Sequence, residues 1–155
     1  MKKYALVASL VAMVIAFANL AGAQSRQADP FTGTWKLDIA KSKFQPGPAP
    51  KNETVTVALD GKTTIAGVDQ NGNANSWSFT PSGDAAVPIE GRENSTVSHK
   101  RTGNVVEDTW NFDGEKIKGR GVISNSGKTV TYTQTGTDKE GHQIHNVRVY
   151  ERASS

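Results

Sequence analysis

The sequence predicts an all-β fold: an antiparallel up-and-down barrel of about eight to ten strands, with a two-sheet sandwich as the alternative. Three observations predict it. Turn dipeptides punctuate the chain at a near-regular spacing: Asp60-Gly61, Asn71-Gly72, Ser82-Gly83, Glu90-Gly91, Thr102-Gly103, Asp113-Gly114, Ser126-Gly127 and Glu140-Gly141. Glycine supplies the positive φ of a tight hairpin, so this beat marks consecutive antiparallel strands. Between the turns, apolar and polar residues alternate with period two, the mark of a sheet with one wet and one buried face. Helical periodicity is sustained only near the N-terminus.

There, Met1-Lys2-Lys3 is followed by an apolar run from Ala5 to Leu20, broken only by Ser9 and Asn19, and then by Ala21-Gly22-Ala23. A basic start, an apolar stretch and a small-x-small site, in that order, form a cleavable secretory signal over residues 1–23. The run falls short of the roughly 20 residues that span a bilayer. The expected product is an exported protein, secreted or periplasmic, without stable membrane insertion after cleavage. A polar leader (24–30) then precedes one domain (31–152). With no cysteine at the cleavage point, there is no thiol to acylate.

The domain opens on a strand, Phe31–Asp38. Ile39–Phe44 fits one or two helical turns, which Pro46, Pro48 and Pro50 forbid from continuing, leaving a rigid crossover. Glu53–Leu59 sets Val55, Val57 and Leu59 on one face. Ser76–Thr80 does the same with Trp77 and Phe79, Asp108–Phe112 with Trp110 and Phe112, and Thr129–Thr133 with Val130 and Tyr132. Asp84–Ile89, which contains Pro88, is the weakest strand. A meander this long leaves bare edges unless it closes, which favours the barrel.

Charge and cysteine content narrow the function. The net charge of +3 includes Lys2 and Lys3; beyond residue 23 the basic and acidic residues number 16 and 15. A near-neutral domain has no electrostatic reason to seek nucleic acid or an anionic membrane. Zero cysteines exclude disulfides, thiol nucleophiles and cysteine-ligated metal clusters. Gly-x-Ser-x-Gly, His-Glu-x-x-His and phosphate-binding glycine loops are missing too, so neither catalysis nor a cofactor is expected. Glu107 and Asp108 are adjacent and face opposite ways on a strand, so they cannot act as a pair.

The most specific string is Phe31-Thr-Gly-Thr-Trp-Lys-Leu37. Phe31, Gly33, Trp35 and Leu37 share one face. Gly33 admits a close neighbour, another backbone or a ring, and Trp35 can plug one end of a barrel. This opening resembles that of the calycin group, the lipocalins and cytosolic fatty-acid-binding proteins, which share Gly-x-Trp. The mature sequence is also similar to small secreted lipocalin-like proteins of bacteria, which open on GTWKL and close on Val-Tyr-Glu. The C-terminal Val147-Arg-Val-Tyr-Glu-Arg152 resembles the closing strand of fatty-acid-binding proteins. In those proteins an Arg-x-Tyr pair holds a carboxylate, which would make Arg148 and Tyr150 ligand-binding residues. They also carry two helices between their first and second strands, and the proline-punctuated stretch from Ile39 to Lys51 cannot hold two.

The resemblance implies a barrel that binds a small hydrophobic or amphipathic ligand, with Trp110 among its walls. A non-catalytic envelope interaction module with a filled core is the alternative. Alternation leaves the face of Arg148 open: a core lined by Val147 and Val149 sends it to solvent, and a ligand-binding barrel turns it inward. His142 and His145 point to opposite faces of a strand and, with only Glu140 nearby, do not make a metal site. Lys116, Lys118 and Arg120 form a basic stripe without interleaved aromatics, which reads as a solvated outer face.

Overall fold

A computed structural model describes residues 29–154. The expected signal peptide, and most of the leader, lie outside the described residues. Ten strands follow one another: β1 (Gly33–Lys43), β2 (Asn52–Val57), β3 (Thr63–Val68), β4 (Ala74–Phe79), β5 (Val87–Pro88), β6 (Ser95–Thr102), β7 (Val105–Phe112), β8 (Glu115–Ile123), β9 (Thr129–Thr137) and β10 (Gln143–Arg152). All pairings are antiparallel, in the order β4-β3-β2-β1-β10-β9-β8-β7-β6-β5. All eight glycines of the turn dipeptides adopt positive φ, between 55° and 96°. The barrel predicted from them is the one that forms.

Closure takes place at two joints of unequal strength. At one, β1 runs beside β10, setting Trp35 opposite Arg152 and Leu37 opposite Tyr150. At the other, β4 meets the segment just after the two-residue β5 through an isolated bridge between Ser78 and Glu90. Their backbones exchange hydrogen bonds of 3.0 and 2.8 Å there, and the Glu90 carboxylate accepts from Ser78 Oγ and Lys62 Nζ, each at 2.8 Å. Pro88 lacks a donor, which suits the last strand of the ladder.

Two expectations are corrected. Ile39–Phe44 forms no helical turn: β1 continues to Lys43, opposite Val147, with a register shift after Asp38. A strand partner outweighs a helical nucleus of one or two turns, which is costly to form alone. Ser42 Oγ satisfies the irregular stretch, donating to the Asp38 carbonyl (2.6 Å) and accepting from the Val149 amide (2.9 Å). The prolines then occupy the connection over residues 44–51. Leu59 does not continue the inner face of β2. The strand ends at Val57, the Ala58 amide donates to the Lys62 carbonyl at 2.9 Å, and Leu59 sits at the turn's tip, 92% exposed.

The interior packs in two clusters. One holds Phe31, Trp35, Val106, Ile123, Val130 and Tyr150, at the end where the described chain enters and leaves the barrel. The other gathers Ile65, Phe79, Ile89, Val97, Trp110 and Ile117 around the seam side. Phe31 and Trp35 are buried in the first cluster, with Leu37 packed against it. The close neighbour at Gly33 is a guanidinium, neither backbone nor ring. Gly33 has φ +127°, and a Cβ there would fall 2.7 Å from Arg152 Nη1. Arg152 stacks 4.1 Å from the Trp35 ring centroid and donates to the carbonyls of Thr32 (2.7 Å) and Pro30 (2.6 Å), which binds the first residues of the domain to its last strand.

Candidate functional site

Between the two clusters the barrel holds a cavity of about 450 Å³. Its floor is Phe31 and Trp35; its walls include Ile65, Phe79, Trp110 and Val130; its rim carries Pro46, Asn75, Arg92 and Asp138 beside the turns of the opposite end. The aromatic wall is ordered by its own contacts. Trp110 stacks on Phe112 (5.5 Å, 12°) and meets Trp77 and Phe79 edge-on, each at 5.4 Å. Such geometries suit the ring quadrupoles.

Arg148, Tyr150 and Trp110 all face this cavity. The alternation of β10 therefore turns arginine and tyrosine inward and leaves Val147 and Val149 outside. Arg148 is already paired. Its Nη1 donates to both oxygens of Glu53 on β2, at 2.7 and 2.8 Å, and its Nε donates to Gln134 Oε1 at 2.9 Å. The Tyr150 hydroxyl donates to the same Glu53 carboxylate. Burial alone would pull the Arg148 pKa down, but the opposing charges and hydrogen bonds of Tyr150 and Glu53 outweigh it and hold the guanidinium charged.

A second polar network crosses the cavity from β6 to β9. Asp108 on β7 accepts from His99 Nδ1 (2.6 Å) and from the Tyr132 hydroxyl (2.6 Å), and Trp110 Nε1 donates to the Tyr132 oxygen (2.8 Å). Arg101 Nη2 lies 3.1 Å from His99 Nε2. Since a guanidinium only donates, Nε2 accepts and the proton of the neutral ring sits on Nδ1. Arg101 also pairs with Asp29, stacks 4.9 Å from Phe31, and leaves its Nε buried without a partner. Tyr132 reaches Asp108 because β8 offers no side chain beneath it. A Cβ at Gly119 would fall 1.8 Å from the Tyr132 oxygen, and one at Gly121 3.0 Å from its ring.

Both buried phenols titrate high. Burial is the main cause for each, reinforced at Tyr132 by the Asp108 charge and at Tyr150 by Glu53. A folded pKa above the unfolded value of about 10 adds stability that is complete below pH 10 and lost as pH climbs beyond it. In a chain beginning at Gln24, these are the only tyrosines. Tyrosinate absorbance should therefore stay absent through pH 10 and rise only together with loss of tertiary circular dichroism. A separate titration near pH 10 in the folded protein would place one phenol in solvent.

No protein-family model matches the chain, and no curated protein does. Solved structures do superpose on it. Fatty-acid-binding protein 1 of Echinococcus granulosus has a TM-score of 0.55 at 13% identity over 81% of this chain and 98% of that one. A Schistosoma mansoni fatty-acid-binding protein, solved in complex with arachidonic acid, gives 0.52 at 20% identity over 82% and 98%. The fluorescent protein UnaG gives 0.52 at 20% identity over 79% and 97%. The fold is that of the fatty-acid-binding proteins. At these identities the likeness is one of architecture. The two helices that the resemblance sets between the first two strands do not occur among the described residues; loop 44–51 stands there, with Pro46 on the cavity rim.

Several polar positions in the cavity were not anticipated from the sequence: Glu53, Arg92, His99, Arg101 and Asp108. For most of them the signal is phase. Glu53 is two residues before Val55, Asp108 two before Trp110, and His99 two after Val97, each in step with the inward face. The basic stripe of β8 lies on the outer face as expected, whereas His142 sits on a turn, ahead of β10, with Asp138 as well as Glu140 beside it. Lys116, Lys118 and Arg120 point outward. His142 and His145 are exposed. On the β9–β10 turn His142 Nδ1 lies 2.9 Å from Asp138 Oδ2, and ligand atoms of Asp138, Glu140 and His142 come within 4.8 Å of one another.

Proposed function

We propose that this chain is an exported, non-catalytic carrier of a small hydrophobic or amphipathic molecule, held inside the barrel. The observation that carries the reading is the cavity of about 450 Å³ with an ordered aromatic wall. Ligand pockets fall in this size range and combine apolar walls with a few placed polar groups. A module with a filled core would need none of this space. The fold shared with fatty-acid-binding proteins supports the same reading, as does the secretory pattern of residues 1–23.

Native mass spectrometry of protein purified from its own host tests both halves. The expected spectrum shows a chain beginning at Gln24 with a non-covalent adduct of a few hundred daltons, released by collisional activation. A chain retaining residues 1–20 would overturn export. An adduct-free protein that also fails to take up the neutral fluorophore N-phenyl-1-naphthylamine would overturn the carrier.

A further inference from the structure

Of the charged side chains that line the cavity, all but one have a hydrogen-bond partner. Glu53 is bonded to Arg148 and Tyr150, Asp108 to His99 and Tyr132, and Arg101 to His99 and Asp29. Arg92 is the exception: among the described residues its guanidinium has no hydrogen bond and no ion pair. It sits in the turn between β5 and β6, on the cavity rim, flanked by Phe112 at 4.6 Å and Trp77 at 5.1 Å. Glu53 and Glu115 are the carboxylates whose charge it feels, and neither is bonded to it; Glu115 instead accepts from the Lys139 amide at 2.9 Å. Glu90, close in sequence, is taken by Lys62 and Ser78.

Stacking uses the faces of a guanidinium and leaves its N–H edge free. That edge presents parallel donors matched to a carboxylate, sulfonate or phosphate. Arg92 is exposed, and its guanidinium lies against both rings, whose planes are 79° apart; these contacts restrict the side chain in advance, so less of its freedom is lost on binding.

We propose that Arg92 is the anion receptor of this cavity. The ligand it selects is an amphipathic monoanion, bound head-outward at the rim with its apolar part running down the Trp110–Phe79 wall. This rests on the carrier reading above and deepens it. The Arg148–Tyr150 pair does not take the head. A ligand carboxylate arriving there would meet the Glu53 carboxylate already seated, and two like charges sharing a buried site oppose one another. Glu53 is the built-in anion of that pair, and it makes the inner end of the cavity electrically complete without a ligand.

The experiment compares dodecanoate with dodecanol, each displacing N-phenyl-1-naphthylamine from the full mature chain. Wild type should prefer dodecanoate. In Arg92→Met, which keeps an unbranched chain against the two rings, the dodecanoate-to-dodecanol affinity ratio should fall about tenfold, the weight of a charge-assisted hydrogen bond. Arg92→Lys should restore part of that ratio. High salt should reduce it in wild type and leave it unchanged in Arg92→Met. A ratio unaltered by Arg92→Met, or one that collapses only in the Glu53→Gln/Arg148→Met double variant, would overturn the proposal and return the head to the inner pair. Dodecanol binding without any preference for dodecanoate in wild type would overturn it while leaving the carrier intact. If none of the three probes binds to adduct-free protein, the carrier reading falls and the receptor falls with it.

Discussion

Trp35→Ala is expected to remove about 3–5 kcal/mol of folding stability, the range for truncating a buried tryptophan. The indole is 2% exposed and forms the barrel floor with Phe31. Its loss does more than open a void. Nε1 donates to the Phe31 carbonyl at 2.7 Å, so that acceptor loses its partner, and the Arg152 guanidinium loses the ring it rests on. Arg152 in turn holds the Pro30 and Thr32 carbonyls, so the first residues of the domain should loosen as well. Against a typical total of about 5–15 kcal/mol, the variant would be marginal. Urea unfolding followed by circular dichroism measures it. A midpoint equal to that of wild type would mean that the floor is not closed by this residue.

Gly119→Ala should cost about 3 kcal/mol although it adds a single methyl group. The new Cβ would lie 1.8 Å from the Tyr132 hydroxyl and 2.4 Å from its ring carbon, so the ring must leave. Overpacking accounts for about 1–3 kcal/mol. Displacing Tyr132 also takes a donor from the buried Asp108 carboxylate and an acceptor from Trp110 Nε1, at about 1–3 kcal/mol for each group left unsatisfied. The attribution can be checked by a double-mutant cycle. With Tyr132→Ala already in place, Gly119→Ala should cost less than about 0.5 kcal/mol, because nothing remains above the strand to strike. Additive effects would show that the glycine is needed for its backbone and not for the tyrosine it accommodates.

The parts of the structure legible in the sequence are those fixed by short-range chemistry. A turn glycine reports its own φ, and period-two alternation reports which face of a strand is wet, so about eight to ten strands, and a barrel in preference to a sandwich, could be read from residues 31–152. The errors lie at strand ends. Ile39–Lys43 has no strong pattern of its own and became strand because Val147 and its neighbours offered a ladder. Leu59 was in phase with Val55 and Val57, but its turn began two residues sooner than the alternation suggested.

The site was legible where a motif singled out residues, as at Arg148 and Tyr150, but not which way they faced. Two valines and an Arg-x-Tyr pair make equally regular alternations, and what decides between them is Glu53, 95 positions away, whose charge makes an inward arginine tolerable. His99, Arg101 and Asp108 were invisible for a related reason. A polar residue in phase with an apolar face is read as an interruption until its partner on another strand is known. Arg92, in a turn, has no phase at all.

The pairing of β1 with β10 also dictates an order of events. Each of the two meanders, β1–β4 and β6–β10, is built from neighbours in sequence and can assemble through local hairpins. Joining them requires contacts such as that of Lys41 with Glu151, 110 positions apart. Loop-closure entropy must be met before those contacts repay it, so barrel closure is the slow step of folding. Until it is complete, β1 presents a bare row of amides and carbonyls to any passing strand, a template for aggregation. A ribosome supplies that edge early and its cure last. Until β10 has emerged the domain cannot close, and the unpaired edge of β1 stays open to any extended segment that meets it.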